Sequence, residues 1–80
     1  MASAAPSLPP LDSDAIRRAL AGIDGIAEVR LVDSDLWVIR RDVDAARDYR
    51  ISHALGDLVD DFHIATLERV GMVPDGVRIL

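Results

Sequence analysis

The 80-residue chain has no cysteine, so neither a disulfide nor a thiolate metal site contributes to its stability. Lysine, asparagine and glutamine are missing too. All 9 basic residues are arginine, set against 14 acids of which only Glu28 and Glu68 are glutamate. A GC-rich coding bias or adaptation to high salt produces such a composition, and either accounts for the surface acids in bulk before any one is given a role. Aromatic residues make up 4% of the chain: Trp37, Tyr49 and Phe62. No basic groove surrounds them, so they do not resemble a stacking platform for single-stranded nucleic acid. The net charge of −5 argues likewise against non-specific binding to nucleic acid or anionic membranes. No apolar run approaches the ~20 residues of a membrane span. The first residues have neither the basic start nor the long apolar stretch of a secretory signal. These absences lead to the expectation of an acidic, soluble, cytoplasmic protein.

Hydrophobic residues make up 50% of the sequence, enough for one small core. Chains of this size often complete such a core by oligomerising. Residues 1–11 are small, uncharged and proline-bearing, and read as a flexible N-terminal tail. Residues 12–80 read as a single small α+β domain.

The central stretch is Asp44–Val70. Ile51, Ala54, Leu55, Leu58, Val59 and Phe62 recur at the spacing of one helix face, with Asp44 as the expected N-cap. Arg47 and Asp48 fall where that apolar stripe would extend backwards. At Phe62 the period changes, and His63–Val70 reads as a strand fed directly out of the helix. Upstream, Asp12, Ser13 and Asp14 offer caps for a short helix over roughly residues 13–22, with Ile16, Ala19, Leu20 and Ile23 on one face. Gly22 and Gly25 bracket its end and can supply a left-handed residue. Ile26–Val32 and Leu36–Arg41 flank Asp33-Ser34-Asp35 as a β-hairpin. The second hairpin strand is apolar on both faces, so its helix-distal side needs a cover, in part from another subunit. Pro74-Asp75-Gly76 is turn chemistry, with Gly76 expected at positive φ, before a short last strand from Val77. The order α-β-β-α-β-(β) predicts a two-layer, ferredoxin-like α+β sandwich: two helices on one face of a mainly antiparallel sheet whose first strand is missing or moved to the end.

Leu20–Val29 and Leu58–Glu68 resemble the helix–strand junctions of the cytoplasmic domain of cation diffusion facilitators, which implies a similar α-β-β-α-β order. Ser34-Asp35-Leu36, followed by a strand, resembles the Ser-Asp-x-Asp segment of minimal nucleotidyltransferases. Trp37 stands where the second metal-binding aspartate of that segment would be, and the preceding Gly-Ser motif is missing. No site residue is carried over from either resemblance.

Three groups of residues are candidates for chemistry. Asp57, Asp60, Asp61 and His63 cluster in sequence at the acidic end of the central helix, where carboxylates oppose the helix macrodipole, and could hold a divalent cation. Tyr49, His53, Gly56 and Asp60 line up along the polar edge of that helix. A mid-helix glycine costs about 1 kcal/mol against alanine, so Gly56 there suggests close approach of another backbone. With Trp37 as an aromatic anchor, these four form the expected interaction surface. Arg40, Arg41, Arg47 and Arg50 are interleaved with Asp42, Asp44 and Asp48, and are expected to form mutual salt bridges rather than an anion site. The leading expectation is a non-enzymatic regulatory module without a cofactor, contacting another protein or its own copy as a dimer through its sheet or central helix. A divalent-metal domain is the main alternative, and a small dimeric enzyme with His53 or His63 as base is the second.

Overall fold

A computed structural model describes residues 11–80; of the expected tail, only Leu11 falls among them, and it packs against the core. The order is α1 (Ser13–Leu20), β1 (Ile26–Val32), β2 (Asp35–Arg40), α2 (Ala45–Leu55), β3 (His63–Thr66), a 3-10 helix (Leu67–Met72) and β4 (Val77–Arg78). The result is an α+β fold with a four-stranded mixed sheet and two helices.

Each helix begins where its capping chemistry begins. The Asp12 carboxylate accepts from the N–H of Ala15, and the Asp44 carboxylate accepts from the N–H groups of Ala46 and Arg47. Both occupy donors that the first helical turn leaves unpaired. Leu11 and Ile16 stand at the two positions of a hydrophobic staple around the Asp12 cap. Gly25 takes the left-handed conformation, φ 87°, between α1 and β1. The hairpin turns at Asp33, φ 55°, a conformation aspartate tolerates better than most residues.

Ile16, Leu20, Ile51 and Leu55 from the helices meet Val29, Leu36 and Val38 from the sheet in one buried cluster. Since side chains alternate along a strand, both helices cover the same sheet face. A bulge between Ile26 and Glu28 resets the alternation of β1. Ile26 therefore packs on the core with Val29 and Leu31, not on the opposite face as simple alternation predicts.

The sheet differs from the expected ferredoxin-like arrangement. Its order is β3-β2-β1-β4, with β3 parallel to β2 and β4 antiparallel to β1. In a split β-α-β arrangement another strand lies between the two joined by the helix. Here β2 and β3 are direct neighbours, and the extra strand sits at the far edge beside β1.

The expected strand His63–Val70 stops at Thr66, and the chain turns into the 3-10 helix instead. That helix contacts β2 and β3. Beyond it, the carbonyls of Val73 and Pro74 accept from the Arg30 guanidinium on the helix-distal face. Ile39 and Val73 are buried outside the main cluster, at 0% and 6% exposure. The second apolar face of β2 is thus closed at Ile39 within the chain, while Trp37 on the same face stays partly exposed.

The central helix also ends earlier than its apolar spacing suggests. It closes at Leu55, with Gly56 as C-cap at φ −57°, so Gly56 is not a mid-helix residue. A side chain at Gly56 would meet only the carbonyls of Ser52 and His53 in its own helix, at ordinary contact distances. Gly76 is not at positive φ; a side chain there would run into the backbone carbonyl of Leu31. The glycine is needed for close approach of β4 to β1, not for turn conformation. Gly56→Ala should leave stability unchanged or raise it by about 0.4–1 kcal/mol, through a stiffer unfolded chain. Gly76→Ala should cost about 1–3 kcal/mol, the scale of an overpacked contact. Urea unfolding of the two variants checks both signs.

Candidate functional site

Helices α1 and α2 pack side by side, and their outer surfaces leave a groove of about 520 Å³. Ala19, Gly22 and Ile23 come from α1 and the turn after it; Tyr49, Arg50, His53 and Ala54 come from α2. The small residues at 19, 22 and 54 keep the groove open, and Gly22 has nothing within 4 Å of where a side chain would begin. Tyr49 is 70% exposed, unusual for so large an aromatic side chain, and its ring lies 6.3 Å from that of His53. A rigid, amphipathic ring at the lip of an apolar groove is the kind of group that anchors a protein contact.

The structure divides the residues singled out in the sequence. Tyr49 and His53 line the groove together, and Gly56 caps the helix beside them. Asp60 lies in the loop beyond the helix and does not continue a helical ridge. Trp37 belongs elsewhere. It is on the helix-distal face of the sheet, opposite His63 in the parallel pairing, with ring centroids 4.4 Å apart and planes inclined by 17°.

The four candidate metal ligands are not brought together. Among the described residues no group of three or more histidine, aspartate or glutamate side chains is placed to hold a metal ion. The reason is where α2 stops: Asp57 stays in the single turn after Leu55, whose carbonyl accepts from the N–H groups of Leu58 and Val59, while Asp60 and Asp61 lie beyond that turn in a loop. The Asp61 carboxylate accepts from the N–H of Phe62. His63 sits over Trp37, with Asp35 at 3.9 Å.

The arginine group is absorbed largely into the framework. Arg40, 8% exposed, pairs with Asp48 and ties the end of β2 to α2. Arg47 pairs with Asp42 and Asp44 and donates to the backbone carbonyl of Asp24, joining the turn before β1 to the turn before α2. This explains why two charged residues stand where the apolar stripe of α2 would extend backwards. Arg40, Arg41 and Arg69 also border a second hollow of about 510 Å³ at the ends of β2 and β3, but Asp42 and Glu68 line it with them.

Sequence reasoning missed Ala19, Gly22 and Ile23 as groove residues. The only signal was the run of small residues at the end of α1, which has no meaning until α2 lies beside it. It also missed the Glu28–Arg30 pair on the distal face, 2.7 Å apart. The hydrogen bond from Arg30 holds the Glu28 carboxyl below its ordinary range, with the charges of Arg30 and Arg78 adding to it against the effect of burial. Asp44 is lowered too, first by the Arg47 N–H at its cap.

Carboxyls depressed in the fold stabilise it above their unfolded pKa, and lose that effect as pH falls through the lower folded value. Stability should therefore drop from about pH 4 downward. Glu28→Gln should lower the urea midpoint at pH 7 and flatten its acid dependence; equal acid slopes in variant and parent would refute the assignment. Comparison with family models, with curated proteins and with solved structures finds no match to this chain, so the geometry of the groove carries the functional argument.

Proposed function

We propose that the chain is a small non-enzymatic interaction module that self-associates through its helical layer. The observation that carries this reading is the open apolar groove between α1 and α2, with Tyr49 70% exposed at its lip. The distal sheet face is a weaker contact surface, because Ile39 is already covered by the chain's own 3-10 segment and Trp37 is stacked on His63. The sheet edges are short as well: β3 has four residues and β4 two. Short edges offer few unpaired backbone groups to another strand. Of the two routes to self-association expected from sequence, the central helix is the better supported.

Light scattering at increasing concentration, in low and in high salt, tests the reading. The mass should rise from one chain towards two, and Tyr49→Ala should weaken the association by about thirtyfold, the scale of an interface anchor. A single-chain mass at every concentration would overturn it.

A further inference from the structure

We infer that two copies of the chain pair through antiparallel α2 helices about a two-fold axis near His53, which rests on the self-association reading and deepens it. Charge and position along a single ridge favour this pairing. The outer side of α2 carries Tyr49, Arg50 and His53, and Asp57 follows in the hydrogen-bonded turn just past the Gly56 cap, where the Val59 N–H still donates to the Leu55 carbonyl. Among the described residues neither Arg50 nor Asp57 forms an ion pair within the chain. All four of these side chains are exposed.

The ridge is therefore basic on its N-terminal side of His53 and acidic on its C-terminal side. A two-fold axis reverses the second copy, since an isologous contact sets residue i against j and j against i. With His53 opposite the partner's His53, Arg50 lies beside the partner's Asp57, and the partner's Arg50 lies beside Asp57. Tyr49 falls against the partner's Gly56–Asp57 segment, where the missing side chain of Gly56 leaves room for the ring. Arg50 and Ala54 share the wall of the groove, so the partner helix lies along its rim and closes it. A parallel arrangement would place Arg50 beside the partner's Arg50 and Asp57 beside the partner's Asp57. Like charges so placed are repulsive, so the charge pattern selects the antiparallel pair.

The absence of native cysteine makes the test direct. His53→Cys places a thiol on the proposed axis, and mild oxidation should convert most of the protein to a disulfide-linked dimer. Met72→Cys, 80% exposed on the opposite layer, should stay largely uncrosslinked. In light scattering, Arg50→Asp and Asp57→Arg should each weaken association by about tenfold or more, and the double variant should restore it, because both cross-axis pairs are then re-formed with signs reversed. If the parent is dimeric but His53→Cys does not crosslink, or the double variant fails to recover, the helix pairing is overturned while self-association stands. If the parent is monomeric throughout, both fall.

Discussion

Strand β2 must be dry on both faces, and the rest of the fold follows from that constraint. Leu36 and Val38 point to the helices, Ile39 points the other way, and all three are fully buried. One helical layer satisfies only half of this requirement. The other half is met after β3, where the chain leaves the sheet, crosses its distal side as a 3-10 helix and returns at the opposite edge as β4. A strand with two apolar faces belongs in the middle of a sheet, between β1 and β3, and that is where it lies.

The arginines hold the pieces that this path brings together. Arg17 donates from α1 to the carbonyl of Ile79 in the C-terminal segment, Arg30 clasps the loop at Val73 and Pro74, and Arg47 joins two turns far apart in sequence. A guanidinium presents several donors in a rigid plane, so one side chain can meet a carboxylate and a backbone carbonyl together. Arg30 and Arg47 each do so. Lysine, a single point charge on a flexible stem, would serve these junctions less well. The all-arginine composition, which sequence alone ascribed to coding bias or salt, therefore also has a structural use.

Much of the candidate site was half legible. Tyr49 and His53 stood out because they line up at helical spacing with Gly56 along the polar edge of the central helix. The groove beside them was not legible, since Ala19, Gly22 and Ala54 matter only through the spacing of two packed helices. The acidic cluster misled for a related reason. Its carboxylates were read on a helix that continues to Phe62, whereas Gly56 closes it and the ligand geometry disperses.

The sequence by itself determined the local elements: the aspartate caps, the two amphipathic helices, the hairpin and the short last strand from Val77. These depend on periodicity and on side chains acting on their own backbone, over a few residues. Tertiary structure alone decided the parallel neighbour of β2, the bulge in β1, the replacement of the expected strand over Leu67–Val70 by 3-10 helix, and the early end of α2. Each of these balances a weak local preference against burial or pairing supplied by residues distant in the chain. Leu67–Val70 shows the balance most plainly: leaving the sheet there gives up a few ladder hydrogen bonds, but it brings Val73 to 6% exposure and its carbonyl to Arg30 on the distal face.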